Sequence, residues 1–287
     1  MKLKSLKILV WFVASLAFAS TANAQEIYES EDNPHSVRPV RPADIMYKKT
    51  VWLRMDLKDK VNTPFFAKEH WISKLIIEAV KSTLLRPYKN DSLTTRMTNQ
   101  EFMEKIKRRD IIENSDPIDD WGGGDSGWGG GWGDTGTASA ATQESDELDP
   151  EDISLLDVKV DMIFDKCRGM WIRDIQSLTL VLPADMNGAK GVEDPIASFS
   201  YKELVDNLFD QNKEAIWFNE QNTAENKNLA EAFDLSLYNA KVTKFTDAKG
   251  RDIFDIYNDE GRGEIALIKG QQYQYQLLEY ESNLWSN

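Results

Sequence analysis

Between Ile45 and Leu57 apolar and polar side chains alternate. Val51, Leu53, Met55 and Leu57 share one parity, with Lys49, Arg54, Asp56 and Lys58 nearby. Successive side chains of an extended chain point to opposite faces, so this period of two predicts a strand, with Trp52 on its second face. Asn62-Thr63-Pro64 then predicts a helix start, because a capping amide is followed by proline in the first turn, where no donor is missed. Ile72, Leu75, Ile76, Ala79 and Val80 recur at helical spacing and form one apolar stripe. That helix has to end before Pro87, which pushes the preceding residue out of the helical region. Thr98-Asn-Gln-Glu101 carries the capping-box signature of another helix.

Beyond residue 150 a similar series restarts. Val158, Val160 and Met162 alternate with Lys159 and Asp161, and Ile175 to Leu182 is rich in strand formers. The two read as a hairpin joined through Cys167–Trp171. Ser200-Tyr-Lys-Glu203 repeats the capping-box spacing. Asn222 to Phe233 suits a further helix, with Glu225 three residues after Asn222. Val242 to Phe245, Asp247 to Gly250 and Ile253 to Tyr257 read as a hairpin whose glycine supplies a positive φ. At the end Tyr273, Tyr275 and Leu277 alternate like a strand, while Tyr273, Leu277, Tyr280 and Leu284 follow helical spacing. The second pattern runs longer and predicts a helix.

The expected fold class is α+β: two mixed halves, 44–115 and 151–287, of short antiparallel strands with amphipathic helices. Residues 25–43, with Pro34, Pro39 and Pro42, read as an extended arm. Residues 116–150 read as a flexible loop joining the halves. Nine of the sixteen glycines fall between Gly122 and Gly136, interleaved with Trp121, Trp128 and Trp132, and no periodic apolar face offsets their ordering cost. Those three tryptophans are candidates for docking a partner; the plainer reading is a tolerated insertion.

The first 24 residues read as a cleavable export signal. Lys2, Lys4 and Lys7 precede an apolar run from Ile8 to Ala19, and Ala22-Asn-Ala24 places the cut before Gln25. The run is shorter than the ~20 residues of a spanning helix. No cysteine follows it for lipid attachment. The expectation is a soluble exported chain, without direct membrane insertion.

The net charge is −14, and the leader accounts for three lysines and no acid. Such a balance opposes binding to nucleic acid or an anionic membrane surface. Cys167, the only cysteine, permits no intramolecular disulfide and, among Phe164, Met170 and Trp171, reads as a small buried hydrophobe. His35 and His70 have no second nitrogen or sulfur ligand at metal spacing, so no metal, cofactor or catalytic residue is assigned. The G-x-S-x-G elbow and the phosphate-cradling glycine loop are both absent. With 48 acidic residues some carboxylate pair always lies close. A periplasmic carboxylate-dependent hydrolase acting on glycans therefore stands as the alternative, since that chemistry needs only two such groups. A soluble chaperone for exported clients is a third reading. Trp52, Trp71 and Trp217 are large aromatics that serve either core or interface.

Three segments together resemble a known family: Asp44-Ile-Met-Tyr-Lys-Lys-Thr-Val-Trp-Leu-Arg-Met-Asp56; Lys74 to Val80 through Leu85-Arg-Pro-Tyr88 and Asn90-Asp91; and Glu279-Tyr-Glu-Ser-Asn-Leu-Trp285. They are similar to the gliding-motility protein GldN, called PorN in non-gliding relatives, over roughly residues 40–115 and 150–285. The resemblance implies a periplasmic, non-enzymatic component of the type IX secretion system of Bacteroidota. It further implies self-association in a large ring beneath the outer membrane with a lipoprotein of the GldK or PorK kind, and association with the GldL/GldM motor. It supplies no catalytic residues, and the Gly/Trp tract lies outside its pattern.

Overall fold

The computed structural model describes residues 33–107, 147–186, 192–257 and 263–285. Ala22, Ala24 and Gln25 at the signal junction, and Trp121, Trp128 and Trp132, lie outside the described residues.

The fold is α+β. Strands β1 (Ile45–Asp56), β2 (Leu155–Asp165), β3 (Met170–Leu182), β4 (Asp194–Ser200) and β7 (Lys241–Phe245) make one antiparallel sheet in the order β4-β3-β2-β1-β7. The short β5 (Ile216–Trp217) and β6 (Lys227–Asn228) pair separately. Between and after them lie the helices α1 (Ile72–Lys81), α2 (Asn99–Ile106), α3 (Tyr201–Leu204), α4 (Leu229–Asp234), α5 (Ile253–Tyr257) and α6 (Gly263–Trp285). Strand β1 comes from the first segment yet sits between β2 and β7, which come from the second.

The alternation expected of β1 sets the two faces of this sheet. Register places Val51, Leu53 and Met55 beside Val160, Val158 and Leu156, and then Val158 beside Leu178 and Leu178 beside Phe199. This apolar face is covered by α1, through Ile72, Leu75, Ile76, Ala79 and Val80, and by α2 to α4. Phe233 on α4 gathers Phe65, Tyr201, Phe209 and Tyr238 at ring distances of 5.1, 5.9, 6.4 and 5.6 Å. A second, smaller cluster of Val51, Val242, Ile253 and Ala266 docks α5 and α6 on the same face. The β2–β3 hairpin forms as expected, turning through Gly169 at φ +64°.

Several local expectations are corrected. Asn62 does not cap a helix. It is fully buried, and its amide nitrogen donates to the Asp56 and Asn239 carbonyls at 2.7 and 2.8 Å. It thereby ties the end of β1 to the approach to β7, while Thr63–Phe65 is a single 3-10 turn and α1 starts only at Ile72. Ser200 makes no side-chain capping bond, and the Glu203 carboxylate, instead of reaching back, pairs with Arg96 at 2.7 and 3.0 Å. The expected helix from Asn222 shrinks to α4. Asn222 accepts from Ala224 in a local turn, and the working cap is Asn228, whose side chain accepts from the Ala230 amide at 2.8 Å. Gly250 does take a positive φ of +64°, but Ile253–Tyr257 is the helix α5 and not a returning strand. Ile253 and Tyr257 are four residues apart, and both face the cluster against α6. Cys167 is exposed, because Phe164 and Trp171 pack on each other at 5.6 Å and leave it outside in the turn.

The C-terminal helix is α6, and it docks with the side chains its spacing selected. Tyr273 stacks on Phe245 at 4.6 Å, Leu277 packs on the small cluster, and Tyr280 lies 4.9 Å from Tyr47. Gly270 brings α6 close to β7, since a Cβ there would lie 3.0 Å from the Val242 carbonyl. Beside it Gln274 donates to the Ala240 carbonyl at 3.1 Å.

Every strand edge of the sheet is blunted in some way, as natural sheets require to avoid unwanted pairing. Helix α6 covers β7. Tyr88 exchanges two backbone bonds with Ser198 of β4, at 2.8 and 3.0 Å, and the Lys105 ammonium caps the Pro195 and Ile196 carbonyls at 3.0 Å each. The N-terminal arm holds the part of β3 that β4 does not reach: Asn33 donates to Gln176, and Ser36 to Asp174 at 2.7 Å. The start of β1 carries a bulge between Ile45 and Tyr47 and the charges of Lys48 and Lys49.

Candidate interaction surfaces

The second face of the sheet is polar, and its side chains satisfy one another across the strands. Arg54 makes a bidentate pair with Asp157 at 2.6 and 2.8 Å and also binds Glu193. Those carboxylates hold its guanidinium above its ordinary pKa, the hydrogen bond to Asp157 first. Trp52 donates its indole N–H to Asp91 at 2.7 Å. Its ring stands between Lys159 and Lys244, whose ammonium groups lie 5.4 and 5.2 Å from the centroid. Register explains this, because Lys159 and Lys244 are its direct partners on β2 and β7. Further along, Asp161 accepts from Thr50 at 2.6 Å and pairs with Lys48 at 2.8 Å. Asp174, opposite it on β3, accepts from Ser36 and Gln176, at 2.7 Å each. Burial pushes the Asp174 carboxyl above the usual carboxylate range in spite of those bonds.

Part of this face floors a groove of about 1570 Å³ that continues round β7 to α5 and α6. Trp52, Arg54, Asp157 and Lys159 make its floor, with Asp91 on one wall and Gln271 and Gln274 on another. Its charges are largely engaged: Asp157 and Glu193 converge, but on Arg54; Asp91 lies 3.5 Å from Lys159 and Asp252 lies 3.6 Å from Lys244. Among the described residues no group of three or more His, Cys, Asp or Glu side chains is placed to hold a metal ion. No described helix is long and apolar enough to cross a membrane.

The aromatics singled out by sequence do not come together. Trp52 lies on the polar face, Trp71 sits just before α1 with its ring 6.0 Å from Phe66, and Trp217 packs against the main core. Each is half-buried. His35 lies in the arm, where burial lowers its pKa, and the Nδ1 of His70 is buried without a partner. The surface that sequence reasoning missed is the outer side of α6. Leu267, Ile268, Tyr275 and Leu278 are 59, 52, 70 and 53 % exposed there, opposite the residues that dock the helix. The signal was available: with both sides of the helix apolar, its spacing fits two stripes, and only the inner one has a sheet to cover it.

Comparison with curated proteins gives no match. Residues 40–286 match the family described as gliding motility associated protein GldN, a span that holds every described strand and helix and leaves out only residues 33–39 of the described arm. The chain belongs to the GldN family of gliding-motility proteins.

Proposed function

We propose that this protein is a non-catalytic structural subunit of the type IX secretion and gliding machinery. It works in the periplasm, associates with itself in a large ring, and is held at the outer membrane by a lipoprotein of the GldK or PorK kind, next to GldL/GldM-like motor components. The observation that carries this reading is the family match across residues 40–286. The export signal supports the location. The engaged state of the groove carboxylates favours a scaffold over the hydrolase alternative, because a general acid or base needs a carboxyl free to exchange its proton with a substrate.

The test is electron microscopy and affinity purification of the tagged chain from membranes of cells that make it. The expected result is a very large ring containing the lipoprotein in fixed ratio. A monodisperse monomer recovered from the membrane-free periplasm would overturn the proposal.

A further inference from the structure

We infer that the outer face of α6 is a self-association surface, and that its occupant is the antiparallel α6 of a second copy. The inference rests on the self-associating scaffold proposed above and names one contact within it.

The first argument is exposure. Leu267, Ile268, Gln271, Tyr275, Leu278 and Ser282 fall within roughly 100° of the helix circumference at 3.6 residues per turn. The four apolar members are each more than half exposed. Contiguous bare apolar surface of this kind marks a contact site on a soluble body.

The second argument is charge. The chain carries −14, so two copies repel over most of their surface. The α6 stripe between Leu267 and Ser282 contains no charged residue, and four glutamines (271, 272, 274 and 276) line and flank it. Copies can approach here without opposing acids, provided the helices run antiparallel. A twofold axis at position 273 sets Glu264 against Ser282, Glu279 against Leu267, and Glu281 against Ile265. A parallel pair would set each glutamate against itself.

The third argument is self-complementarity. The same axis sets Ile268 against Leu278 and Gln271 against Tyr275, so an apolar pair flanks a phenol–amide pair on each side. A twofold interface requires this reciprocity. Backbone pairing between copies is disfavoured by the blunted strand edges, which favours side-chain packing as the route. A twofold pair closes on itself, so a ring needs a second, different contact as well.

The experiment is sedimentation of the chain from residue 25 onward over a range of concentrations. A reversible dimer is expected. Leu278→Glu and Tyr275→Glu should each weaken it about 100-fold or more, since each buries two unpaired charges at a symmetric contact. Both side chains are exposed, so circular dichroism and the unfolding midpoint should not move. Gln276→Glu, off the stripe, should leave the dimer intact. In a Cys167→Ser background, Gln271→Cys with Tyr275→Cys should cross-link on oxidation, while either cysteine alone should not. A monomer at all concentrations, or a dimer indifferent to Leu278→Glu, overturns the inference. So does loss of lipoprotein binding by Leu278→Glu with self-association intact, which would give the stripe to that partner. Failure of the ring proposal looks different: the dimer persists in solution while no ring or lipoprotein is recovered from membranes.

Discussion

The two faces of the central sheet are built from the same strands and hold together in opposite ways. On one face Leu53, Met55, Val158, Leu178 and Phe199 bury hydrocarbon against α1 to α4, and what matters is volume and the exclusion of water. On the other, one residue along, Arg54, Asp157, Lys159 and Asp161 meet their partners across the strands, and Asp174 meets Ser36 of the arm and Gln176 of its own strand. There the match of donor to acceptor decides the outcome, because an unpaired buried group costs more than a made bond returns. The apolar face tolerates apolar side chains of similar volume and supplies most of the stability. The polar face supplies little net energy and fixes register, since a slip of one residue would bring Asp157 and Asp161 into the core.

The comparison is most directly broken on the apolar side. Leu178→Ala removes a fully buried side chain packed between Val158 and Phe199. It should cost about 2–5 kcal/mol in chemical unfolding, the range for a large-to-small change that leaves a cavity. A loss under ~1 kcal/mol would show the core to be loosely packed there.

On the polar side Asp157→Ala should cost less, about 1.5–3 kcal/mol, by leaving the half-buried Arg54 guanidinium with Glu193 alone. The sharper test is the pair. Arg54→Met combined with Asp157→Leu should recover most of that loss, since replacing both ions removes the uncompensated charge. A double variant no more stable than Asp157→Ala alone would mean that the ion pair contributes net stability, and the contrast between the faces would fail.

The apolar face was largely legible in the sequence, because a period of two needs no knowledge of neighbours. The polar face was not. That Arg54 meets Asp157, or that Trp52 stands between Lys159 and Lys244, follows from register between residues about 100 to 190 positions apart. Local signatures divided in the same way. Thr98-Asn-Gln-Glu101 is a true capping box, with the Glu101 amide 3.2 Å from the Thr98 hydroxyl. The identical spacing at Ser200–Glu203 is not, because Arg96 offers Glu203 a stronger, charged partner. Asn62 was drawn away from capping in the same manner, because its side-chain oxygen accepts from the Asn239 amide while its nitrogen donates to the Asp56 and Asn239 carbonyls. In each case a long-range group outbid a local one, and only the fold reveals it. Candidate sites suffered most: α6 was recognised as a helix through its inner stripe, Tyr273, Leu277 and Tyr280, while the bare outer stripe becomes visible only once the inner one is seen to be docked.

Between the two faces lies the β7 edge, where a smaller effect is expected. Gly270→Ala should gain about 1 kcal/mol in helix propensity and lose about 1–3 kcal/mol to the close Val242 carbonyl, for a net loss near 1 kcal/mol. Gly270→Leu should cost more and expose the β7 amides to hydrogen exchange. A stabilised Gly270→Ala would show that α6 is free to shift, and that the edge is not held by close approach.

The smallest effect isolates what the polar face costs. Asp174 is buried opposite Asp161, with Ser36, Gln176 and Lys48 around it, and burial raises its carboxyl above the ordinary range. A carboxyl whose folded pKa exceeds its unfolded value binds its proton more tightly in the folded state. Its contribution to stability is therefore greatest at low pH and declines as pH climbs from the unfolded value, about 4, through the folded one. Asp174→Asn cannot titrate, although it gives up one of the two acceptors that Ser36 and Gln176 now use. The difference in unfolding free energy between variant and parent should thus shift in favour of the variant as pH rises above ~4, and level off once Asp174 is fully ionised. The slope, not the offset, carries the result, because the lost hydrogen bond shifts every pH alike. Parallel curves would mean that Ser36, Gln176 and Lys48 together offset the burial of the charge, and that the polar face holds its acids without penalty.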